Sequence, residues 1–301
     1  MDDFASTALY NLIAFQLRQV GVDVTPSTRF EGKIDSARKT DLLAESLTTL
    51  GAAFVVEIGQ GIRSAPANPI VDVLLQARDA GDLLERWQRL ECYYHGKHRI
   101  EIQCSTQNSV HMKHYSLTTV PPSAGEDLLI AGLVAALLQK TGCEGLSLYI
   151  GEPGVKFIGN DEVLGSEKAP ADTADWHIEW QRFSSQKPVA ILHDENKSIT
   201  EQLSNLMGQD LGKSWRIVTA AQQLGRSTRS LQRSLSEEGT SFQKVLRSIR
   251  VEGAVKLISS GRFKLAEVGY TCGFSDQAHF SREFKLRFNM SPSQFTDLAD
   301  H

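Results

Sequence analysis

Residues 273–292 (GFSDQAHFSREFKLRFNMSP) carry a helical pattern in which apolar and polar positions separate cleanly. Phe280, Phe284 and Phe288 recur every four residues, so on a helix they form one apolar stripe. The polar side chains lie off that stripe: Gln277, His279, Arg282, Lys285 and Arg287. The pattern predicts a helix that packs through one face and leaves the other face available to a partner.

Turn and cap signals bound this helix on both sides. Gly273 indicates a tight turn, Ser275 is predicted to be the N-cap, and Pro292 is predicted to stop the helix. A shorter amphipathic helix over Lys264–Tyr270 precedes the turn. A helix, a short turn with Gly and a second helix together make the helix-turn-helix pattern.

The same arrangement occurs once more upstream. A helix is predicted over Trp215–Leu224, followed by Gly225 and by a second helix over Ser227–Glu238 that has Ser227 as its N-cap. The helix between the two units, Ser241–Ile258, would be about 27 Å long at 1.5 Å per residue. A rod of this length can hold two modules roughly one DNA turn, about 34 Å, apart. The second helix of each unit could then enter one of two successive major grooves.

The distribution of charge separates the last third of the chain from the rest. Residues 211–301 carry 14 Lys and Arg against 8 Asp and Glu, whereas residues 1–210 carry 18 against 28. A basic C-terminal third favours a polyanionic partner for that part alone. The alternative is that these basic side chains only form the solvated faces of helices and bind no partner.

The first part of the chain mixes helical and strand patterns. Helices are predicted over Phe4–Val20, Asp35–Leu50, Asn68–Ala77, Ala80–Cys92 and Glu126–Lys140. Strands are predicted over Ala53–Ile58, His98–Ser105, Ser109–Ser116, Leu146–Ile150 and Trp176–Phe183, with mostly loop over residues 151–175. The fold class is therefore mixed: an α/β domain over residues 1–183, a linker over 184–198, and an all-α domain over 199–301 with two helix-turn-helix units joined by a long helix.

Composition places the protein among soluble globular chains, since it is 41% hydrophobic and 23% charged. The start of the sequence lacks the basic region of a signal peptide, and the longest apolar run, Leu128–Leu138, is too short to span a bilayer. The four cysteines show no CxxC pair, which agrees with a reducing compartment. A cytoplasmic location and no membrane partner are expected.

Two long stretches carry a family resemblance. LGRSTRSLQRSLSEEGTSFQKVLRSIRVEGAVKLI and LAEVGYTCGFSDQAHFSREFKLRFNMSPSQF closely resemble the AraC/XylS-type DNA-binding domain of bacterial transcription regulators. NPIVDVLLQARDAGDLLERWQRLECYY, followed by two strands, resembles more loosely the effector domain of the arabinose-binding-type subgroup. The resemblance implies a sequence-specific regulator that binds double-stranded DNA, with residues 1–183 as an effector-binding or dimerisation domain. It also admits a small-molecule effector, RNA polymerase and a second subunit as partners, but it identifies no effector-binding residues.

The resemblance assigns roles to the exposed residues of both second helices. The expected base-reading residues are Arg229, Gln232 and Arg233 in the first unit and Gln277, His279 and Arg282 in the second. Arg can pair with guanine and Gln with adenine in the major groove. The expected phosphate contacts are Arg226, Ser227, Ser275, Lys285 and Arg287. The first helix is expected to discriminate bases more strongly than the second, and the competing interpretation for each residue is a solvated side chain.

The sequence departs from the family pattern at three positions. Asn289 replaces a usual Gly before the Ser-Pro, and Asn is the next best residue for a left-handed backbone. Thr296 replaces a usual Arg, which puts one phosphate contact in doubt, and Gly269 replaces a usual Ala.

Two other classes of function compete with this interpretation. Cys92, His95, Cys104 and His111, with His98 and His114 close by in sequence, suggest a metal- or redox-responsive regulator, but no pair has zinc-knuckle spacing. Polar surface histidines and ordinary buried cysteines are therefore the favoured interpretation of these residues. A nonspecific architectural DNA-binding protein is the other alternative. No catalytic motif is present, so neither an enzyme nor a cofactor is expected, and no metal ligands are assigned.

Overall fold

The computed structural model describes residues 4–25, 36–64, 69–94, 97–165, 168–184 and 197–299. Contacts divide the chain into two compact units. The first unit comprises Met1–Ala67, Arg78–Leu84 and Leu90–Gln186, and the second comprises Asn68–Ala77, Glu85–Arg89 and Lys187–His301. The second unit therefore contains two short segments from the first third of the sequence. Most of the predicted linker, 184–198, lies outside the described residues.

Six helices occur among the described residues of the first half of the chain. They are α1 (Phe4–Gln19), α2 (Ser36–Thr49), α3 (Ala52–Gln60, continued by a 3-10 turn over Gly61–Arg63), α4 (Pro69–Leu75), α5 (Ala80–Tyr94) and α6 (Ala124–Thr141). Helix α6 begins with a capping box between Ser123 and Glu126 and ends at Gly142, which has a φ of 117°. Its residues are buried on nearly all sides, so α6 is the central helix of the first unit.

In the part of the first unit that the structure describes, eight strands form two sheets. They are β1 (His98–Ser105), β2 (Ser109–Ser116), β3 (Cys143–Glu144), β4 (Ser147–Ile150), β5 (Val155–Gly159), β6 (Glu162–Val163), β7 (Asp175–Glu179) and β8 (Arg182–Phe183). The larger sheet has the order β1-β2-β7-β4-β5-β6, and β3 pairs with β8 separately. The predicted hairpin of β1 and β2 is confirmed, with His98 opposite Ser116.

The predicted strand Ala53–Ile58 is wrong, because these residues form most of helix α3. The chain enters α3 through Gly51, which has a φ of 88°. Two glycines let the backbones of α3 and α6 cross at close distance. A Cβ on Gly59 would collide with the Leu129 carbonyl of α6, and a Cβ on Gly132 would collide with the Val56 carbonyl of α3. Close packing of two helices thus overrides the strand preference of a short β-branched run.

The region predicted as loop, residues 151–175, contains two strands of the larger sheet. Strands β5 and β6 are joined by Asn160 and Asp161, which have φ values of 52° and 72°. The predicted strand Trp176–Phe183 divides into β7 and β8, which belong to different sheets. Short strands with a tight two-residue turn carry too little alternation to be distinguished from loop.

Over residues 197–299, the described C-terminal part of the second unit forms seven helices. They are α7 (Ile199–Gly208), α8 (Ile217–Gln223), α9 (Thr228–Glu237), α10 (Phe242–Ser259), α11 (Leu265–Thr271), α12 (Gln277–Phe288) and α13 (Pro292–Ala299). One buried cluster joins α7, α8, α9 and the start of α10, and another joins the rest of α10 to α11 and α12. The predicted mixed fold class is confirmed, with both helix-turn-helix units and the long helix between them.

None of the helices within the described ranges is both long enough and apolar enough to cross a membrane.

Candidate nucleic-acid interface

Helix α9 presents two different faces. Its N-cap is Ser227, whose hydroxyl accepts a hydrogen bond from the Ser230 amide at 3.1 Å. Leu231 and Leu235 are buried in the first helical cluster, as their spacing predicts. The opposite face exposes all three side chains expected to read bases: Arg229, Gln232 and Arg233. The helix therefore combines a fixed apolar face with a free polar face.

Two arginines near α9 make weak contacts within their own module. Arg233 Nε lies 3.6 Å from Glu237 Oε1 one turn further along, and both side chains are well exposed. Arg226 Nη1 donates to Ser234 Oγ at 3.4 Å. Exposed pairs of this kind contribute only about 0.3–0.5 kcal/mol, so a phosphate or a base edge can displace them at little cost.

The N-cap of α12 is Asp276, and the prediction of Ser275 as the cap is wrong. Asp276 Oδ1 accepts a hydrogen bond from the His279 amide at 2.7 Å. Ser275 lies one position earlier, and its hydroxyl donates to Asp276 Oδ2 at 2.9 Å. The bond from the His279 amide holds the pKa of the Asp276 carboxyl below its ordinary value. The Asp276 carboxylate therefore already accepts a hydrogen bond from a backbone amide at the helix end that was expected to contact a phosphate.

The phenylalanine stripe of α12 is core, as predicted. Phe280 and Phe284 are fully buried, with ring centroids 5.8 Å apart, and Phe288 continues the stack at 4.8 Å from Phe284. Phe274, in the turn before the helix, packs 5.1 Å from Phe280. Aromatic pairs at these separations fix the rotation of α12 about its axis.

That rotation determines where the polar residues of α12 point. Gln277 and Arg282, both expected to read bases, are exposed. Lys285 and Arg287 are exposed in the last turn. Asn289 ends the helix with a φ of 57°, so the expected left-handed position is confirmed. Thr296, where the family usually has Arg, donates instead to the Pro292 carbonyl at 3.0 Å.

His279 differs from its exposed neighbours because it is half-buried and held by its own helix. Its Nδ1 lies 3.0 Å from Ser275 Oγ, and its Nε2 lies 3.8 Å from Glu283 Oε1. Burial lowers the pKa of His279 below its ordinary value of 6.5, although Glu283 and Asp276 oppose that shift. The imidazole is therefore mostly neutral at pH 7 and is less available to a base than the exposed Gln277.

An ion pair that the sequence patterns do not reveal joins α10 to α12. Arg247 Nε lies 2.8 Å from Glu283 Oε2, and the Glu283 side chain is only 14% exposed. The pair crosses between helices whose residues are 36 positions apart in the sequence, so no local periodicity could have indicated it. Arg247 thus compensates a carboxylate on the helix that is expected to face DNA.

Two histidines of the competing metal hypothesis, His111 and His114, lie on strand β2 of the first unit and contact carboxylates. His111 Nε2 lies 2.8 Å from Asp175 Oδ1. His114 is buried, with Nδ1 2.7 Å from Asp127 Oδ1, so its expected surface position is wrong. Within the described ranges, which exclude His95, no group of three or more His, Cys, Asp or Glu side chains could hold a metal ion.

The cysteines divide into two classes. Cys92 and Cys104 are exposed, against the expectation that the cysteines are buried. Cys143 and Cys272 are buried, and burial raises the pKa of each thiol to about 12. Cys104 lies opposite His111 across the hairpin, which brings two members of the proposed cluster together. Cys92 lies on helix α5.

Comparison with known proteins concerns the C-terminal helices. Residues 220–297 match the family model described as a helix-turn-helix domain. The chain is 31% identical over 103 residues to the urease operon transcriptional activator of Escherichia coli, covering 34% of each protein. It is 30% identical over 110 residues to the TCP pilus virulence regulatory protein of Vibrio cholerae serotype O1, covering 36% of this chain and 40% of that protein.

A solved structure is similar over about a third of the chain. It is a transcriptional regulator of Chromobacterium violaceum described as having an AraC-type DNA-binding domain. The sequences are 24% identical, and the match covers 35% of this chain and 95% of that one with a TM-score of 0.33.

The C-terminal helices are a helix-turn-helix domain of the AraC/XylS type. The chain spans between about a third and two fifths of the length of the two curated relatives described above. By their names, the first relative is a transcriptional activator and the second is a virulence regulatory protein.

Proposed function

We propose that the protein is a sequence-specific DNA-binding transcription regulator of the AraC/XylS type. The observation that carries this proposal is the matched construction of α9 and α12. Each begins at a side-chain cap, buries an apolar stripe and exposes Arg and Gln on the opposite side. Two such helices at the ends of one rod suit a reader of two successive major grooves.

The exposed residues divide into two roles under this proposal. Base reading falls to Arg229, Gln232 and Arg233 on α9 and to Gln277 and Arg282 on α12, with His279 a weaker reader because its ring is half-buried. Phosphate contacts fall to Arg226, Lys285 and Arg287 and to the amide ends of the helices near Ser227 and Ser275. Asp276 opposes the last of these contacts by its charge.

The N-terminal part would supply the regulatory input. We assign effector binding or dimerisation to residues 1–183, a linker to 184–198 and DNA binding to 199–301. A small molecule that binds two arrangements of the protein with different affinity would shift the population between them. RNA polymerase is a further partner of a regulator of this kind, and the cytoplasm is the compartment that DNA binding requires.

The test is to map preferred DNA sequences for the full chain and for Arg229→Ala and Arg233→Ala. Loss of a bidentate contact should cost about 1–3 kcal/mol and relax the preference at one position of the site. Lys285→Ala should instead weaken binding to all sequences evenly and reduce the salt slope by about one unit. Unchanged sequence preference in both arginine variants would rule out the assigned readout.

A further inference from the structure

The second unit contains a buried ion pair that involves no residue of the recognition helices. The Arg86 side chain on α5 is fully buried, and its guanidinium donates to Asp210 Oδ1 at 3.1 Å and to Oδ2 at 2.5 Å. Arg86 also donates to the Val73 carbonyl of α4 at 2.9 Å. All three residues belong to the second unit. A buried bidentate pair of this kind holds its two partners in one geometry.

Asp210 connects this pair to the first helix-turn-helix module. The Asp210 carbonyl accepts a hydrogen bond from Trp215 Nε1 at 2.8 Å, and Trp215 is buried in the core that contains α8 and α9. Next to this segment, Glu85 on α5 pairs with Arg216 at 3.1 Å, directly before α8. Residues of α5 therefore contact the segment that leads into α8, the first helix of the first module.

The same turn of α5 also contacts the second module. Tyr270 of α11 is fully buried and donates its hydroxyl to the Arg86 carbonyl at 3.4 Å. The Arg89 guanidinium lies 5.1 Å from the centre of the Tyr270 ring, a cation–π contact. Arg89 donates at the same time to the Gly212 carbonyl at 2.5 Å. Arg89 thus bridges the entry of the first module and the first helix of the second.

Gly212 is tightly surrounded by residues of α4, α5 and α11. A Cβ at Gly212 would lie 2.9 Å from Val73 Cγ1 and 3.2 Å from Arg86 Nη1, and 3.4 Å from the Thr271 carbonyl at the end of α11. These separations leave no room for a side chain. Residue 212 is therefore held where α4, α5 and α11 meet.

We propose that the turn of α5 over residues 85–89 is a brace that, together with α10, fixes the separation and orientation of α9 and α12. Arg86 and Arg89 are its positioning residues. This role rests on the proposed function, because a fixed separation matters only if both helices read one DNA site. The brace makes the protein discriminate between DNA sites by the spacing of their two halves.

The test uses the full chain and DNA duplexes that carry the selected site with its second half moved by one or two base pairs. Wild type should prefer the original spacing. Arg89→Ala should reduce that preference roughly threefold to tenfold, the change expected for loss of its hydrogen bond to the Gly212 carbonyl. Gly212→Ala should independently reduce the preference by a similar factor, because the added methyl group would lie 2.9 Å from Val73 Cγ1. The base preference within each half should stay unchanged in both variants.

Matched controls separate the brace from general effects. Arg182→Ala removes the same charge from an exposed pair in the first unit, and Gly208→Ala adds the same methyl group where nothing lies within 4 Å. Both should keep the wild-type spacing preference. An unchanged spacing preference in Arg89→Ala and Gly212→Ala would overturn the brace alone. Absence of any sequence preference in wild type would overturn the proposed function and this positioning role with it.

Discussion

The cap of α12 gives a prediction in which neighbouring residues of similar capping ability should behave differently. Asp276→Ala removes the acceptor of the 2.7 Å bond from the His279 amide, whereas Ser275→Ala leaves that bond in place. Loss of an N-cap costs about 0.5–2 kcal/mol, and the short, charged bond at Asp276 favours the upper half of that range. Ser275→Ala should cost no more than a few tenths of a kcal/mol.

Hydrogen exchange of the α12 amides measures this difference directly, because it reports opening of the helix without requiring the whole chain to unfold. A cost of one to two kcal/mol corresponds to roughly a 5- to 30-fold faster exchange in Asp276→Ala. Exchange in α9 is the internal control and should not change. An equal or larger effect of Ser275→Ala would show that the assigned cap is wrong.

The charge of Asp276 can be separated from its capping bond. Asp276→Asn keeps an equally good cap and should lose only about 0.3–1 kcal/mol of interaction with the helix dipole. DNA affinity should rise about threefold, since a unit charge some 7 Å from a phosphate contributes roughly 0.6 kcal/mol of repulsion in water. Fluorescence anisotropy at low salt measures this affinity. Weaker binding by Asp276→Asn would contradict the repulsive role.

The same carboxyl predicts a dependence on pH. The bond from the His279 amide lowers the folded pKa of Asp276 below its ordinary value of 3.8. The stabilisation is therefore fully present above that value and is lost as the pH falls through the lower folded pKa. The difference in exchange between wild type and Asp276→Ala should disappear at acidic pH. A difference that persists there would contradict the assignment.

Four other substitutions test the packing and the charges of the two units. Gly59→Ala should lower the free energy of unfolding of the first unit by at least about 1 kcal/mol, because the added methyl group meets the backbone of α6. Gly208→Ala should instead raise the free energy of unfolding by up to about 1 kcal/mol, since nothing lies within 4 Å of the added group. Equal effects of the two substitutions would contradict the close crossing of α3 and α6. Leu231→Ala should destabilise the second unit by about 2–5 kcal/mol in urea unfolding, and a cost below 1 kcal/mol would contradict its fully buried position. Burial opposes ionisation of Glu126, but Lys39 at 3.2 Å and the Ser123 amide lower its pKa below 4.5. Wild type should therefore exceed Glu126→Gln in stability above a pH of 4.5 and lose the advantage as the pH falls through the lower folded pKa; a constant difference would refute this coupling.

The helix-turn-helix units could be predicted from the sequence because their signals are local. Ser227 caps the helix that follows it, and Leu231 and Leu235 pack as their spacing requires. The resemblance to AraC/XylS-type domains, carried by long continuous motifs, is confirmed by the match over residues 220–297.

Nonlocal contacts explain what the sequence could not show. The run over residues 53–58 has the composition of a strand, and only the crossing of Gly59 with Gly132 makes it a helix. Arg86 and Asp210 are 124 positions apart, and no pattern connects them. The turn at Asn160 and Asp161 did carry a local signal, because Asn and Asp adopt the positive φ observed there more readily than other non-glycine residues.

Selection of binding sites from random double-stranded DNA by the full-length wild-type protein tests the central claim most directly. Two helices that enter successive major grooves should select two conserved blocks whose centres lie about 10–10.5 base pairs apart. Substitution of Arg229 should alter only one of the two blocks, and substitution of Gln277 only the other. A single block, or affinity that is nearly independent of sequence, would contradict the account of two coupled readers.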